Sequence, residues 1–200
     1  MKIIGITGGV GSGKSTVLNI LKSLCNCEII MADDVAKELM KKGGPITKDA
    51  VRLFGENAYK EDNSLNTPFM ADKMYRNEDL RKEWSSIVHP AVNRHIFELI
   101  EKYRNTVGLD FVFIEAALLI ENNYDKICDE IWYVYADENE RMKRLIYDRG
   151  YSEDKVKSIF AAQMSEDMYK SHCGFIIDNS KGVEYTRHIL QNKLEEYSTI

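Results

Sequence analysis

The 200-residue chain has no apolar run near the ~20 residues that a bilayer-spanning helix requires. Its start, Met1-Lys2-Ile3-Ile4-Gly5-Ile6, also lacks the layout of a secretory leader, so a cytoplasmic protein without a membrane partner is expected. There is no excess of basic charge: 27 Lys and Arg stand against 32 Asp and Glu, for a net charge of -5. Nothing therefore draws the chain generally to nucleic-acid backbones, and nucleic acid is not expected as a partner. The four cysteines, Cys25, Cys27, Cys128 and Cys173, form neither a C-x-x-C pair nor the paired spacings of zinc sites. Buried, reduced thiols are the expectation. Proline is scarce, at three residues, and repeats, linkers and low-complexity tracts are missing, which argues against long disorder. With 44% hydrophobic residues the chain suffices for one domain with a real core and is short for two.

What is present is an alternation of short apolar runs with helical periodicity. Residues 2–7 read as a strand, and Val17, Leu18, Ile20, Leu21 and Leu24 recur at helical spacing just beyond a glycine cluster. Glu28 to Met31 reads as a second strand, followed by a helix from about Asp33 to Lys41 that Gly43-Gly44-Pro45 ends. From about 46 to 105 the pattern is helical without a clear strand. Phe111 to Ile114 and Ile131 to Tyr135 are compact and almost continuously apolar, as strands buried on both faces are, so a parallel sheet is implied. Glu138 to Gly150 and Ser152 to Met168 read as two helices, Phe175 to Ile177 as a last strand, and Val183 to Tyr197 as a closing helix.

The glycine cluster, Gly8-Gly9-Val10-Gly11-Ser12-Gly13-Lys14-Ser15, matches G-x-x-x-x-G-K-[ST] between a strand and a helix. Such a loop wraps an anion with inward-pointing backbone N–H groups, which side chains would obstruct. Gly9, Gly11, Ser12 and Gly13 form the cradle, and the helix that follows adds its positive N-terminal end. Lys14 can reach the β- and γ-phosphates, Ser15 can ligate Mg²⁺, and Thr16 assists at the α-phosphate. ATP with Mg²⁺ is the expected cofactor pair.

A phosphate cradle does not by itself say what attacks the phosphate. A GTPase calls for Asn-Lys-x-Asp late in the chain, whereas Asn192-Lys193-Leu194-Glu195 lies inside the terminal helix and ends wrongly. A small-molecule kinase calls for a carboxylate that accepts the acceptor's hydroxyl proton at the C-terminal edge of the sheet. Asp33 fits, just beyond a second strand expected to lie next to the first, and Asp34 competes with it. The plain alternative for either is capping of the helix N-terminus. Glu115, at the end of the third strand, is the further candidate for Mg²⁺ or acceptor. Rival readings are a nucleoside or nucleotide kinase, and a nucleotide-dependent binding switch with no acceptor.

Over nearly its whole length the chain resembles the dephospho-coenzyme A kinase family. The segment Ile6 to Thr16 looks like that family's opening, and Ala32-Asp33 with Ala36 looks like its second-strand motif, whose final Asp is the base; this favours Asp33 over Asp34. His89-Pro90 is similar to the family's His-Pro step, and Leu118-Leu119-Ile120-Glu121 resembles its Leu-Leu-x-Glu stretch. The resemblance implies that His89, Leu118 and Glu121 border the acceptor. Read from the residues alone, His89 before Pro90 is a helix-boundary residue, Leu118 and Leu119 are core, and Glu121 caps or solvates a helix. Arg141, Arg144 and Arg149 fall in a segment like the family's lid, and Arg144 is the arginine assigned to the developing charge. Its alternative is a surface i,i+4 pair with Asp148. Gln163 and Ile177-Asp178-Asn179 also match, the last where the family holds adenine through backbone contacts.

The implied fold is α/β: a three-layer P-loop NTPase fold with a mainly parallel five-stranded sheet. Its core would be 1–35, 109–137 and 171–200, with a helical acceptor-binding insertion at about 36–108 and a lid at about 138–170. The implied reaction phosphorylates the ribose 3′-hydroxyl of dephospho-coenzyme A, on a monomer. Met31, where the family often has Asp, Glu115 in place of Asp, Ala117 in place of proline and a shifted lid arginine at Arg149 depart from the pattern.

Overall fold

The computed structural model describes residues 1–116, 119–120 and 124–198. These separate into two compact units, one of residues 1–30 with 103–200 and one of residues 31–102.

The first unit is built on a five-stranded sheet. Its strands are β1 (Lys2–Thr7), β2 (Cys27–Met31), β3 (Phe111–Glu115), β4 (Glu130–Tyr135) and β5 (Phe175–Asp178), in the order β2-β3-β1-β4-β5. The pairings of β1 with β3, β1 with β4 and β4 with β5 are all parallel, with Ile4 beside Phe113 and Ile6 beside Trp132. Composition explains the order. β3 is buried along its whole length, so it needs neighbours on both sides, whereas β2 buries only Ile30 and tolerates the edge. β2 was expected from the sequence to lie next to β1, but β3 separates them.

Helices flank the sheet. They are α1 (Lys14–Leu24), α6 (Glu138–Tyr147), α7 (Glu153–Ala161), α8 (Glu166–His172) and α9 (Val183–Ser198). α1 packs on α9, and α8 lies against β4. The span expected as one helix from Ser152 to Met168 is two. Ala162 ends α7, and the Ser165 hydroxyl accepts the Met168 N–H at 3.3 Å to start α8. A serine inside an apolar-periodic stretch hides such a restart. The four cysteines are free thiols, half-buried where full burial was expected; burial pushes the Cys173 thiol up to about 12.

The second unit is helical, as the periodicity implied, with α2 (Ala32–Leu39), α3 (Thr47–Phe54), α4 (Thr67–Arg76) and most of α5 (Glu78–Arg104). The Phe54 and Trp84 rings meet edge to face at 5.3 Å in its core. α5 runs unbroken through Pro90, so His89 is inside a helix and not at a boundary. Proline inside a helix costs about 3 kcal/mol. Burial of Trp84 before it and of Val92, Ile96 and Ile100 after it outweighs that penalty, since each large apolar side chain contributes about 1.5–3 kcal/mol.

Candidate active site

The loop between β1 and α1 is held in shape by glycines where no side chain fits. Gly13 is the N-cap of α1 with φ 91° and ψ 31°, and a Cβ there would lie 2.1 Å from Asn179 Nδ2. The Ser12 N–H donates to Gly9 O at 3.1 Å, closing the turn. The first turn of α1 then carries N–H groups that a helix cannot pair internally, and no acidic residue occupies that turn. Ser12 Oγ is buried without a hydrogen-bond partner among the described residues. A polyanion fits this cradle: it supplies acceptors where the loop offers donors and no competing carboxylate.

Lys14 folds back into the loop, with Nζ donating to Gly8 O at 2.8 Å and standing 3.6 Å from Glu115 Oε1. Glu115 reaches it because β3 is the direct neighbour of β1, with Ile6 in register with Glu115. Both side chains are largely buried, and each compensates the other's charge. Ser15 is exposed at the start of the helix, and its hydroxyl and the Glu115 carboxylate are each hard oxygen donors of the kind Mg²⁺ takes together with phosphate oxygens. No cluster of three or more His, Cys, Asp or Glu that could hold a metal occurs among the described residues, so such an ion would rely on the nucleotide for further ligands.

Three side chains grip the loop from behind. Arg144, on α6, donates through Nη1 to the carbonyls of Gly11 (3.3 Å) and Ser12 (3.2 Å), and through Nη2 to that of Asn179 (2.8 Å). It makes no side-chain pair with Asp148, whose only bond to it is a backbone C-cap. Asn179, just past β5, donates Nδ2 to Ser12 O at 2.8 Å and accepts the Thr186 hydroxyl at 2.9 Å. Its side chain is therefore committed to the loop. Arg141 covers the other half: Nε donates to Val10 O at 3.0 Å, Nη2 donates to Gln163, and the guanidinium lies over the Phe160 ring at 4.3 Å. Burial pulls its pKa below the ordinary value for arginine.

This clamp went largely unread in the sequence. The resemblance had singled out Arg141, Arg144, Gln163 and Asn179 without their contacts, and Thr186 carries no local pattern at all. Asn179→Ala should cost about 1–3 kcal/mol, the usual penalty for removing a buried polar partner. It should weaken ATP and ADP binding alike, because the loop's frame loosens without loss of a γ-phosphate contact; thermal melts and titrations with both nucleotides measure this.

In the second unit, Asp33 and Asp34 stand in the first turn of α2, directly after β2, and both are exposed. Neither caps the helix, whose N-cap is Met31 with no side-chain bond. Asp34 accepts from Lys37 Nζ at 2.7 Å, whereas Asp33 has no hydrogen-bond or ion-pair partner among the described residues. His89 is exposed on α5. Leu118, Glu121 and Ala117 lie outside the described residues.

A parallel sheet in the order β2-β3-β1-β4-β5, with a phosphate-binding loop between its central strand and the first helix, defines a P-loop phosphotransferase of the small-molecule kinase type. Comparison with known proteins is specific. A dephospho-CoA kinase family profile matches residues 2–184, and a dephospho-CoA kinase of Carboxydothermus hydrogenoformans is 33% identical over 98% of this chain and 95% of its own. The chain belongs to the dephospho-CoA kinase family, whose members use ATP to phosphorylate dephospho-coenzyme A in the last step of coenzyme A synthesis. A solved structure from Thermus thermophilus superposes with a TM-score of 0.80 at 28% identity, covering 98% of this chain and 97% of that one. A dephospho-CoA kinase from Campylobacter jejuni shares the fold, with a TM-score of 0.73 at 19% identity over 98% and 97% of the two chains. No helix among the described residues is long and apolar enough to cross a membrane.

Proposed function

We propose that this chain transfers the γ-phosphoryl group of ATP in line to the ribose 3′-hydroxyl of dephospho-coenzyme A, with Asp33 positioning that hydroxyl and accepting its proton. The products are coenzyme A and ADP. The family match along almost the whole chain carries the choice of acceptor; for the base, the support is an exposed carboxylate at the start of α2 with no hydrogen-bond or ion-pair partner among the described residues. Gly9, Gly11, Ser12, Gly13, Lys14, Ser15 and Thr16 hold the triphosphate, and Lys14 leaves Gly8 O for the β- and γ-phosphates. Mg²⁺, when bound through Ser15 and Glu115, supplies charge neutralisation. Arg144 is a positioning residue: its guanidinium is spent on loop carbonyls and stiffens the cradle from behind. Asn179 serves the same frame, leaving adenine to backbone groups, and His89, Leu118 and Glu121 border the acceptor.

A monomer is the working unit in this reading, since the nucleotide loop and the candidate base belong to the same chain. A cytoplasmic location goes with that reading. The decisive assay compares turnover with dephospho-coenzyme A against a panel of nucleoside monophosphates. Preference for dephospho-coenzyme A by at least ~10²-fold in kcat/KM is expected, the scale that differential transition-state binding supplies. Preference for a monophosphate would make the chain a nucleotide kinase, and ADP release that no acceptor accelerates would make it a binding switch.

A further inference from the structure

Cys25 and Cys27 stand on either side of Asn26, where α1 ends and β2 begins. The chain bends at Cys25 and Asn26, and the two thiol side chains are hydrogen-bonded to each other. Asn26 is pinned at backbone and side chain. Its carbonyl accepts the N–H groups of Asp110 (3.0 Å) and Phe111 (3.3 Å), and its amide donates to Gly108 O at 2.5 Å. The fold thus holds two reduced sulfurs together, and both are half-buried, within reach of a reagent.

Their surroundings make them unequal. Cys25 is the C-cap of α1, with Sγ 3.4 Å from Leu21 O, at the negative end of the helix where a thiolate is disfavoured. The hydrogen bond with Cys27, and then burial, push the Cys25 thiol well above its usual range. For Cys27 the same bond acts the other way. The Cys25 S–H supports a Cys27 thiolate, and Lys22 in the last turn of α1 adds its charge; together they lower the Cys27 pKa against burial and Glu28. Cys173 has only burial, which pushes it up. A thiolate beside a protonated thiol is the arrangement that thiol–disulfide exchange uses, one sulfur attacking and the other resolving.

Cys25 is also in the wall of a cavity of about 710 Å³. Lys2 and Phe111 line it too and open β1 and β3, so it lies at the end of the sheet away from the phosphate loop, which follows the last residue of β1. Leu24 and Leu194 make the wall apolar, Asn26 and Gln191 offer amide partners, and the carboxylates of Asp110 and Glu195 outnumber the one cation, Lys2. Such a lining suits an uncharged arm of amides and methylenes and repels an anionic one.

We propose that Cys25 and Cys27 form a thiol–disulfide exchange site for small disulfides with uncharged, amide-bearing arms. The Cys27 thiolate attacks one sulfur of the disulfide RSSR, forming Cys27–S–S–R and expelling RS⁻, which takes up a proton. Cys27 is then neutral, so Cys25 no longer faces a negative neighbour and releases its proton more readily. Its thiolate attacks the Cys27 sulfur, forms the Cys25–Cys27 disulfide and expels the second RS⁻. Two protein thiols are oxidised and one disulfide is reduced to two thiols. The coenzyme named under the proposed function bears its thiol on such an arm, so its own disulfide belongs to this ligand class; the exchange itself does not depend on that function.

The probe is pantethine, an uncharged symmetric disulfide with amide-bearing arms, with oxidised glutathione as the anionic comparison, read by mass spectrometry and peptide mapping without oxygen. The unaltered chain should lose two hydrogens, mapped to a Cys25–Cys27 disulfide. Cys25→Ser, which keeps a donor beside Cys27, should stop at one pantetheine on Cys27. Cys27→Ser should react at least ~10-fold more slowly, since Cys25 alone is a protonated thiol. The double variant Cys128→Ala with Cys173→Ala should react as the unaltered chain does. Pantethine should outpace oxidised glutathione by ~10-fold, and Gln191→Trp, which narrows the cavity, should remove that preference. Should a serine variant melt early, brief alkylation of the unaltered chain with iodoacetamide replaces it and must label Cys27 first. First modification at Cys25, Cys128 or Cys173, or a chain that keeps all four thiols, overturns the exchange site, and equal rates with the two disulfides overturn its choice of ligand. None of these readings involves phosphoryl transfer, so the proposed function stands or falls on its own assay.

Discussion

Asp33→Asn should bind ATP almost as the unaltered chain does and turn over at least ~10²-fold more slowly, the usual scale for losing a general base. The substitution is close to isosteric, so it keeps the shape of the first turn of α2 and removes only the capacity to accept a proton. Asp33 has no partner among the described residues, so no salt bridge collapses with it and the fold should hardly notice. The loss of a favourable charge at a helix N-terminus costs about 0.3–1 kcal/mol, enough for a small fall in Tm. Asp34→Asn is the matched control: it breaks the pair with Lys37, an exposed contact, and should leave turnover within a few-fold. Steady-state kinetics together with titration of a non-hydrolysable ATP analogue separate the outcomes. If Asp33→Asn retained turnover, the proton acceptor would be Asp34 or Glu115.

Gly13→Ala should abolish nucleotide binding and destabilise the chain together, for two independent reasons. A residue with a Cβ in the left-handed region costs about 1–2 kcal/mol, and φ at Gly13 is 91°. The added carbon would also lie 2.1 Å from Asn179 Nδ2, displacing the amide that holds Ser12 O. That lost bond costs about 1–3 kcal/mol more when its partners are left buried. Because the helix starts at Lys14, any shift at position 13 re-aims the whole N-terminal turn on which the phosphates depend. The double substitution Gly13→Ala with Asn179→Ala isolates the clash. It should be less damaging than the sum of the single changes, leaving the backbone strain as the residue. Additive losses in melting and in nucleotide titration would show that the clash had been relieved by movement of the loop.

How far the sequence led differs from element to element. β3 and β4 were legible because strands buried on both faces are continuously apolar, and α9 because its apolar positions recur at helical spacing. The break between α7 and α8 was not, since one serine cap outweighs a periodicity that continues through it. The continuity of α5 was not, since proline's local penalty is visible in the sequence and the burial that overrides it is not. The expected place of β2 beside β1 failed for a related reason: a strand's apolar content shows that it is buried, and only the complete set of strands decides which ones compete for the centre.

At the site the division is sharper. The loop from Gly8 to Ser15 was set by the sequence alone, because backbone approach to phosphate tolerates few residue types at each position, and a contiguous chemical constraint leaves a contiguous pattern. The candidate base was narrowed by the sequence to Asp33 or Asp34, neighbours that no local rule separates; resemblance to the family chose between them, and the occupation of Asp34 by Lys37 supports that choice. Tertiary structure alone decided what the lid arginines touch and what the Asn179 side chain does. Arg141, Arg144 and Asn179 are gathered onto the loop from more than 130 positions away, and Thr186 holds the Asn179 side chain in place. Hydrogen bonds across such separations depend on strand order and helix docking, and they leave no periodicity or spacing along the chain.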